Sequence, residues 1–329
     1  MLFEKLVDMA YKQYENPAEL RHLQLVSTRI LGEFDAICQK LNIPYFVYGG
    51  TAIGTVRHKG FIPWDDDVDI ALFREDYERF MAEAPAVMSS EYELISGRNE
   101  PFFPACNANF SLRNTLCVPD EFDACPFQYP IGIGLFALDK PRTNPRAYRA
   151  QKRACWFWAR LAFLRATPRP HLSLAAPYKQ LARALCYIAY GVMKLCCVSP
   201  LWIHKQWEKA ATSGAHENTD IYCDFMDRDP MAWACTRKEA YPAHRVPFES
   251  ITVNLPKEYD TMLRRGFGDY MQLPPLDDRK NHHPSKLNFG PYTADSVVVD
   301  VAADGESTAA RSDGEGAPAA SSTTETTTH

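Results

Sequence analysis

A basic surplus is missing from this sequence. Its 36 Lys and Arg face 41 Asp and Glu, a net charge of −5, whereas nucleic-acid binding wants a basic face. Metal-binding cysteine spacing is missing too. None of the ten cysteines forms a Cys-x-x-Cys pair; scattered among apolar neighbours, they read as reduced, buried thiols of a cytosolic protein. The first twenty residues, MLFEKLVDMAYKQYENPAEL, carry acids and lack an uninterrupted apolar core, so they do not read as a secretory signal. No internal repeat is visible. What remains is a chain that is 46% hydrophobic and 23% charged, enough to bury a sizeable core. The negative charge is concentrated after Ala294, where seven acids meet one base, Arg311. That leaves a near-neutral body.

Along the chain, Leu20, Leu23, Ile30, Phe34, Ile37 and Leu41 recur at helical spacing, which predicts a helix over 18–41 stopped by Asn42 and Pro44. YFVYGG (Tyr45–Gly50) reads as a short buried strand ending in two glycines. Thr51 to Arg57 reads as a helical turn or short helix, GFIP (Gly60–Pro63) as a turn, VDIALF (Val68–Phe73) as a second strand and Arg74–Ala84 as another amphipathic helix. This alternation predicts an α/β core. PIGIGLFALDKP (Pro130–Pro141) reads as a strand. Two apolar segments follow, 154–166 and 181–203. The second is long enough to span a bilayer, but Lys194 near its middle favours a buried or lipid-surface helix. Arg245–Pro256 alternates like a strand pair, and KEYDTMLRRGF reads as a helix. Residues 294–329 are rich in Ala, Ser, Thr, Gly and Asp and are expected to be disordered.

The chemistry concentrates in GGTAIGTVRHKGFIPWDDDVDI (Gly49–Ile70). On an extended segment alternate side chains share a face. Asp65, Asp67 and Asp69 then point one way, and Asp66, Val68 and Ile70 the other. Such a row of carboxylates is either solvated or neutralised by a hard divalent cation, which commonly sits between carboxylates and substrate phosphates. The run enters an apolar strand, and Gly49–Gly50 end the preceding one, where bare backbone can approach a phosphate. Arg57, His58 and Lys59 lie between and suit an anionic substrate. The spacing excludes a dinucleotide fingerprint and a P-loop. A calcium loop starting at Asp65 would put Ile70 where a glycine is needed.

These residues resemble the signature of the LicD family, which includes the fukutin-like proteins and belongs to the nucleotidyltransferase-fold superfamily. IGLFALD (Ile133–Asp139) is similar to the family's IDIFPLD segment, and FGDYMQLPPLDDRKNHH (Phe267–His283) to its C-terminal motif. The resemblance runs from about residue 20 to 284 and is looser over 150–235. It implies an α/β (α+β) fold: a nucleotidyltransferase-like mixed sheet flanked by helices, with a helical apolar insertion at about 150–235 in a catalytic domain of residues 1–293. It also implies a transferase that moves a phospho-alcohol, such as phosphocholine or phosphoribitol, from a CDP-linked donor to a sugar hydroxyl of a glycan or lipid-linked glycan. The enzyme would be cytoplasmic, with peripheral membrane contact as an option.

Carried over residue by residue, Asp67 and Asp69 are the catalytic, metal-binding pair, with Asp65 upstream, holding Mg²⁺ or Mn²⁺. Gly49, Gly50 and Thr51 hold donor phosphates. Arg57, His58 and Lys59 contact the diphosphate or transferred group, and Arg279, His282 and His283 serve substrate binding or site closure. Trp64 is read as packing. One departure stands out: Gly134 occupies the place of a family aspartate, which implies either that Asp139, Asp123 or Asp65 substitutes for it or that activity is weak. The rival readings are an NTP-dependent nucleotidyltransferase, a non-catalytic family member in a glycan-synthesis complex and, more distantly, a glycosidase.

Overall fold

A computed structural model describes Tyr14 and residues 16–167, 178–279 and 281–293. The expected disordered tail, 294–329, lies outside the described residues. Helix α1 (Pro17–Leu41) opens with Asn16 accepting the Ala18 N–H and closes on Asn42 in the left-handed region, the cap chemistry that favours Asn at both ends. Then come β1 (Phe46–Val47), α2 (Gly49–His58), β2 (Asp69–Phe73), α3 (Arg74–Glu83), β3 (Tyr92–Ser96), β4 (Ala108–Leu112), β5 (Leu116–Val118) and β6 (Gly132–Leu138). Three helices follow, α4 (Pro145–Ala166), α5 (Tyr178–Leu195) and α6 (Pro200–Ala211). The chain continues through β7 (Ile221–Tyr222), β8 (Cys235–Thr236), α7 (Arg237–Ala240), β9 (His244–Phe248), β10 (Ile251–Leu255), α8 (Tyr259–Phe267) and β11 (Lys286–Asn288).

The central sheet has the order β1-β2-β6-β4-β3, with only β2 and β6 parallel. The result is the mixed α/β sheet flanked by helices expected from the sequence. Period-two alternation gives the sheet two buried faces. Ile70, Leu72, Ile133 and Leu135 join the α1 residues Ile30, Leu31 and Phe34 in one cluster. Ala71, Phe73 and Leu138 meet Tyr222, Cys235, Ala240 and Met262 in the other. The β9–β10 hairpin clamps α1 through Arg245, whose Nη1 and Nη2 donate to Asp35 at 2.5 and 2.8 Å.

Three expectations are corrected. Gly49 and Gly50 do not end the strand; they begin α2, with Tyr48 as the N-cap residue. The 181–203 apolar stretch is not one helix. It breaks after Leu195, and Pro200 at the start of α6 redirects the chain through 105°. No single helix is long and apolar enough to cross a membrane among the described residues. Finally, all ten cysteines are free, but Cys196 and Cys197 are exposed at the end of α5.

Candidate functional site

The aspartate run is extended before it becomes a strand. Asp65–Val68 precede β2, which begins at Asp69. Burial alternates as the period predicts: Asp66, Val68 and Ile70 are buried, while Asp65, Asp67 and Asp69 are partly exposed. Asp69 is fixed by its backbone N–H, which donates to Thr51 Oγ1 at 2.9 Å. Thr51 is thus buried and occupied in joining α2 to β2, and its hydroxyl holds the site's frame.

Both glycines lie against carboxylates, and Gly50 makes room for one. A Cβ on Gly50 would stand 2.9 Å from Asp65 Oδ2, and one on Gly49 would stand 3.6 Å from Asp69 Oδ2. Gly49 also has φ +55°, a conformation glycine adopts without penalty. The first turn of α2 has no side-chain cap and no acidic residue of its own, so its amide dipoles face the aspartates unneutralised.

Asp66 points inward and does a different job. It accepts the His282 backbone N–H at 2.9 and 3.1 Å, the His282 ring Nδ1 lies at 3.3 Å, and Tyr14 donates to it at 3.0 Å. Burial works against its charge, but these hydrogen bonds prevail and hold its carboxyl below the usual range. His282 also lies 3.3 Å from Asp67 Oδ2. The hydrogen bond to Asp66 and the charge of Asp67 push the imidazole up to about 10. Asp66 therefore ties the C-terminal motif onto the aspartate run.

The remaining three carboxyls crowd one another. Burial, then the charges of Asp67 and Asp66, raise Asp65 well above the usual carboxylate range. Burial and Asp67 do the same to Asp69, and burial raises Asp67. Such a cluster ionises together only where a positive charge offsets it. The donors are hard oxygens, the ligands Mg²⁺ and Mn²⁺ prefer. Among the described residues no group of three or more His, Cys, Asp or Glu forms a ready metal cage. The set fits a cation held by one or two carboxylates and completed by substrate phosphate.

Beside the aspartates opens a cavity of about 240 Å³, with Asp66, Asp67, Asp69, Asn107, Asn109 and His282 among its lining. Asp69, Gly134 and Asn109 stand in register on the adjacent strands β2, β6 and β4. Opposed residues of neighbouring strands share a face, and the missing side chain at 134 lets the Asp69 carboxylate and the Phe136 ring lie over this point of β6. Phe103, Phe122 and Tyr129 form an aromatic wall.

Of the carboxylates named as substitutes, Asp139 is committed elsewhere: it takes Arg74 Nε and Nη2 at 2.9 and 2.6 Å and is buried. Asp123 is exposed and pairs with Lys286 at 2.9 Å. Asp65 alone of the three lies at the glycine corner. Sequence reading missed Asp224, a buried residue after β7 whose charge reaches Asp69 and Tyr48.

The basic residues are less gathered than expected. Arg57 and His58 end α2, eight and nine positions along from Gly49, an axial rise of about 12–13 Å along the helix. Arg57 donates to Tyr270 O at 2.6 Å and to His58 Nε2 at 2.9 Å. Lys59 turns away: it sits at φ +56° and lines a separate cleft with His244, Arg245 and Tyr259. Arg279 stacks over Trp64, its guanidinium carbon 4.5 Å from the ring centre, so Trp64 packs as expected. His283 rests against the Tyr14 ring at 4.8 Å. Its Nδ1 is buried without a partner among the described residues.

The site thus sets carboxylates at the head of one strand of a mixed sheet against a glycine-opened helix. Residues 42–110 match the LicD/FKTN/FKRP nucleotidyltransferase domain, and the chain carries a LicD-family domain there. It is 27% identical over 282 residues to the lipopolysaccharide cholinephosphotransferase LicD of Haemophilus influenzae, covering 80% of this chain and 96% of that protein. Human ribitol 5-phosphate transferase FKRP is 32% identical over 65 residues, 20% of this chain and 12% of FKRP. An uncharacterised Rickettsia typhi protein is 34% identical over 89 residues, 27% of this chain and 28% of that protein.

Proposed function

We propose that this chain is a phosphotransferase moving a phospho-alcohol, such as phosphocholine or phosphoribitol, from a CDP-linked donor to a glycan hydroxyl. The observation that carries the reading is the convergence of Asp65 and Asp69 on Gly50 and Gly49 at the uncapped start of α2. The relatives named for cholinephosphate and ribitol 5-phosphate transfer support the group transferred.

Mg²⁺ or Mn²⁺, held by Asp67 and Asp69 with Asp65 beside them, would offset charge on the donor diphosphate and the departing CMP. The rest falls to the protein. Phosphoryl-type transfer is mainly positioning and charge stabilisation. The free amides of the first turn of α2 suit a phosphate oxygen. Asn107 and Asn109 offer donors along the cavity, with Asn107 Nδ2 directed to Asn109 Oδ1 at 3.4 Å. His282, held by Asp66, supplies positive charge beside Asp67 and closes that edge. An acceptor hydroxyl attacks the distal phosphorus opposite the departing CMP, and a carboxylate of the run takes up its proton.

Gly134 favours one second reading, a non-catalytic relative that binds the donor without turning it over. Incubation with CDP-choline, CDP-ribitol, CDP-glycerol and the four NTPs, with Mg²⁺ or Mn²⁺ and a glycan acceptor, separates the readings. CMP release from a CDP-alcohol, lost in Asp67→Asn, is the expected result. Pyrophosphate release from an NTP would replace the reading with nucleotidyl transfer, and donor binding without turnover would favour the non-catalytic one.

A further inference from the structure

Between Asp139 and Glu208 the chain holds thirteen Lys and Arg and no Asp or Glu. This run contains α4, α5 and most of α6, in a chain whose overall charge is −5. The same unit carries an apolar face turned the wrong way for a core. On α5, Tyr178, Leu181, Leu185, Ile188, Val192 and Leu195 recur at alternating spacings of three and four residues, which places them in one stripe. All six are exposed, from 54% at Val192 to 85% at Leu195. Met193 is the buried residue of this helix; it packs with Ala162 of α4 and Ile203 of α6. Trp156 and Phe157 of α4 and Trp202 of α6 are exposed as well.

We infer that α5, supported by α4 and α6, docks on an anionic lipid bilayer, lying in the interface without crossing it. An apolar stripe on a helix whose charges are all positive is the pattern of an interfacial helix. Lys179, Arg183 and Lys194 have no acidic partner within ion-pair distance among the described residues, which leaves them available to lipid phosphates. The 105° break before α6 gives neither helix a span of its own. Two other occupants fit less well. A second copy would bring one α5, with three cations and no acid, against another, so charge opposes the pairing that the heptad spacing allows. The acidic stretch after Ala294 has the right sign, but it contains no Leu, Ile, Met, Phe, Tyr or Trp and cannot cover the stripe. The docking surface is independent of the reading of the aspartate site.

Co-sedimentation of the full chain with vesicles tests the inference, using phosphatidylcholine alone and phosphatidylcholine mixed with phosphatidylglycerol. Binding to the mixed vesicles that weakens with added salt is expected, with little binding to the neutral ones. The double variant Leu185→Glu/Ile188→Glu should lower the bound partition on the order of tenfold or more. Arg183→Glu/Lys194→Glu should abolish the preference for anionic vesicles. All four positions are exposed, so an unchanged circular dichroism spectrum and melting temperature show that the fold is kept. Equal binding of wild type and both variants would overturn the inference. So would the absence of vesicle binding together with a solution dimer that Leu185→Glu/Ile188→Glu dissociates, which would assign the stripe to a second copy.

Discussion

Asp69 and Gly134 stand opposite each other on the parallel strands β2 and β6. A Cβ at position 134 would lie 2.9 Å from Asp69 Oδ1 and 2.9 Å from the edge of the Phe136 ring. Both are ends of side chains, so the backbone can tolerate a methyl group while the carboxylate cannot keep its place. Gly134→Ala is therefore expected to retain the fold, seen as an unchanged melting temperature, and to lose on the order of tenfold in transfer rate, about 1.4 kcal/mol of barrier. An equal rate would mean that Asp69 does not act from its present position.

Thr51 tests the frame beneath that carboxylate. Its hydroxyl accepts the Asp69 N–H in a buried setting. Thr51→Val keeps the shape and leaves the amide without an acceptor, a cost of about 1–3 kcal/mol. Thermal denaturation reads the loss of stability. The transfer rate should fall as well, because the start of β2 is what aims Asp69.

Asp66 is expected to matter through attachment. Asp66→Ala removes the acceptor for the His282 amide and for Tyr14. Hydrogen exchange at residues 281–283 should speed up, while the central strands β2 and β6 remain protected. Faster exchange across the whole sheet would instead make Asp66 a general support of the core.

Arg74 and Asp139 form a buried, bidentate pair joining α3 to the end of β6. Removing one partner strands the other charge, which typically costs about 3–5 kcal/mol. Arg74→Ala should be strongly destabilised in urea unfolding, and Asp139→Asn less so, because it keeps one acceptor oxygen for the guanidinium and Arg74 retains Glu78 at 3.1 Å.

Asp224 gives the pH dependence. Burial pushes its carboxyl up to about 7, with Asp227 and Asp139 adding to the effect while the Met226 and Asp227 amides oppose it. An acid whose folded value lies above its unfolded one stabilises the fold fully below about pH 4 and loses that contribution as pH rises through about 7. Asp224→Asn, which retains an oxygen for the Met226 N–H, should gain stability relative to wild type by up to a few kcal/mol on going from about pH 5 to about pH 8. Melting temperatures taken in EDTA check this. Parallel pH profiles of the two proteins would contradict it.

Local periodicity made much of this fold legible. The helical spacing of Leu20 to Leu41, the inward Val68 and Ile70, the Arg245–Pro256 hairpin and the helix after Lys257 each carry their own pattern. The glycine pair was misplaced because two residues cannot show whether they end a strand or begin a helix; the Thr51–Asp69 bond and the unfilled first turn of α2 decide it. The 181–203 stretch looked continuous because its apolar residues run through the break that Pro200 marks. Tyr14, Asn107, Asn109 and Asp224 were not legible at the site because contacts from other parts of the chain bring them there. The same holds for the bond between Asp66 and His282, 216 residues apart, where the family resemblance pointed to the histidine and no spacing could. Lys59 shows the opposite error: next to His58 in sequence, it is turned into another cleft by one left-handed residue.

The most direct test is a Mn²⁺ titration of the full chain, read as free ion by electron paramagnetic resonance, with and without CDP-choline. If Asp67 and Asp69 grip a divalent cation against a diphosphate, Mn²⁺ binding tightens when the donor is present, and both Asp67→Asn and Asp69→Asn abolish the tightening. Mn²⁺ binding that ignores the donor, or survives unchanged in both variants, would contradict the account.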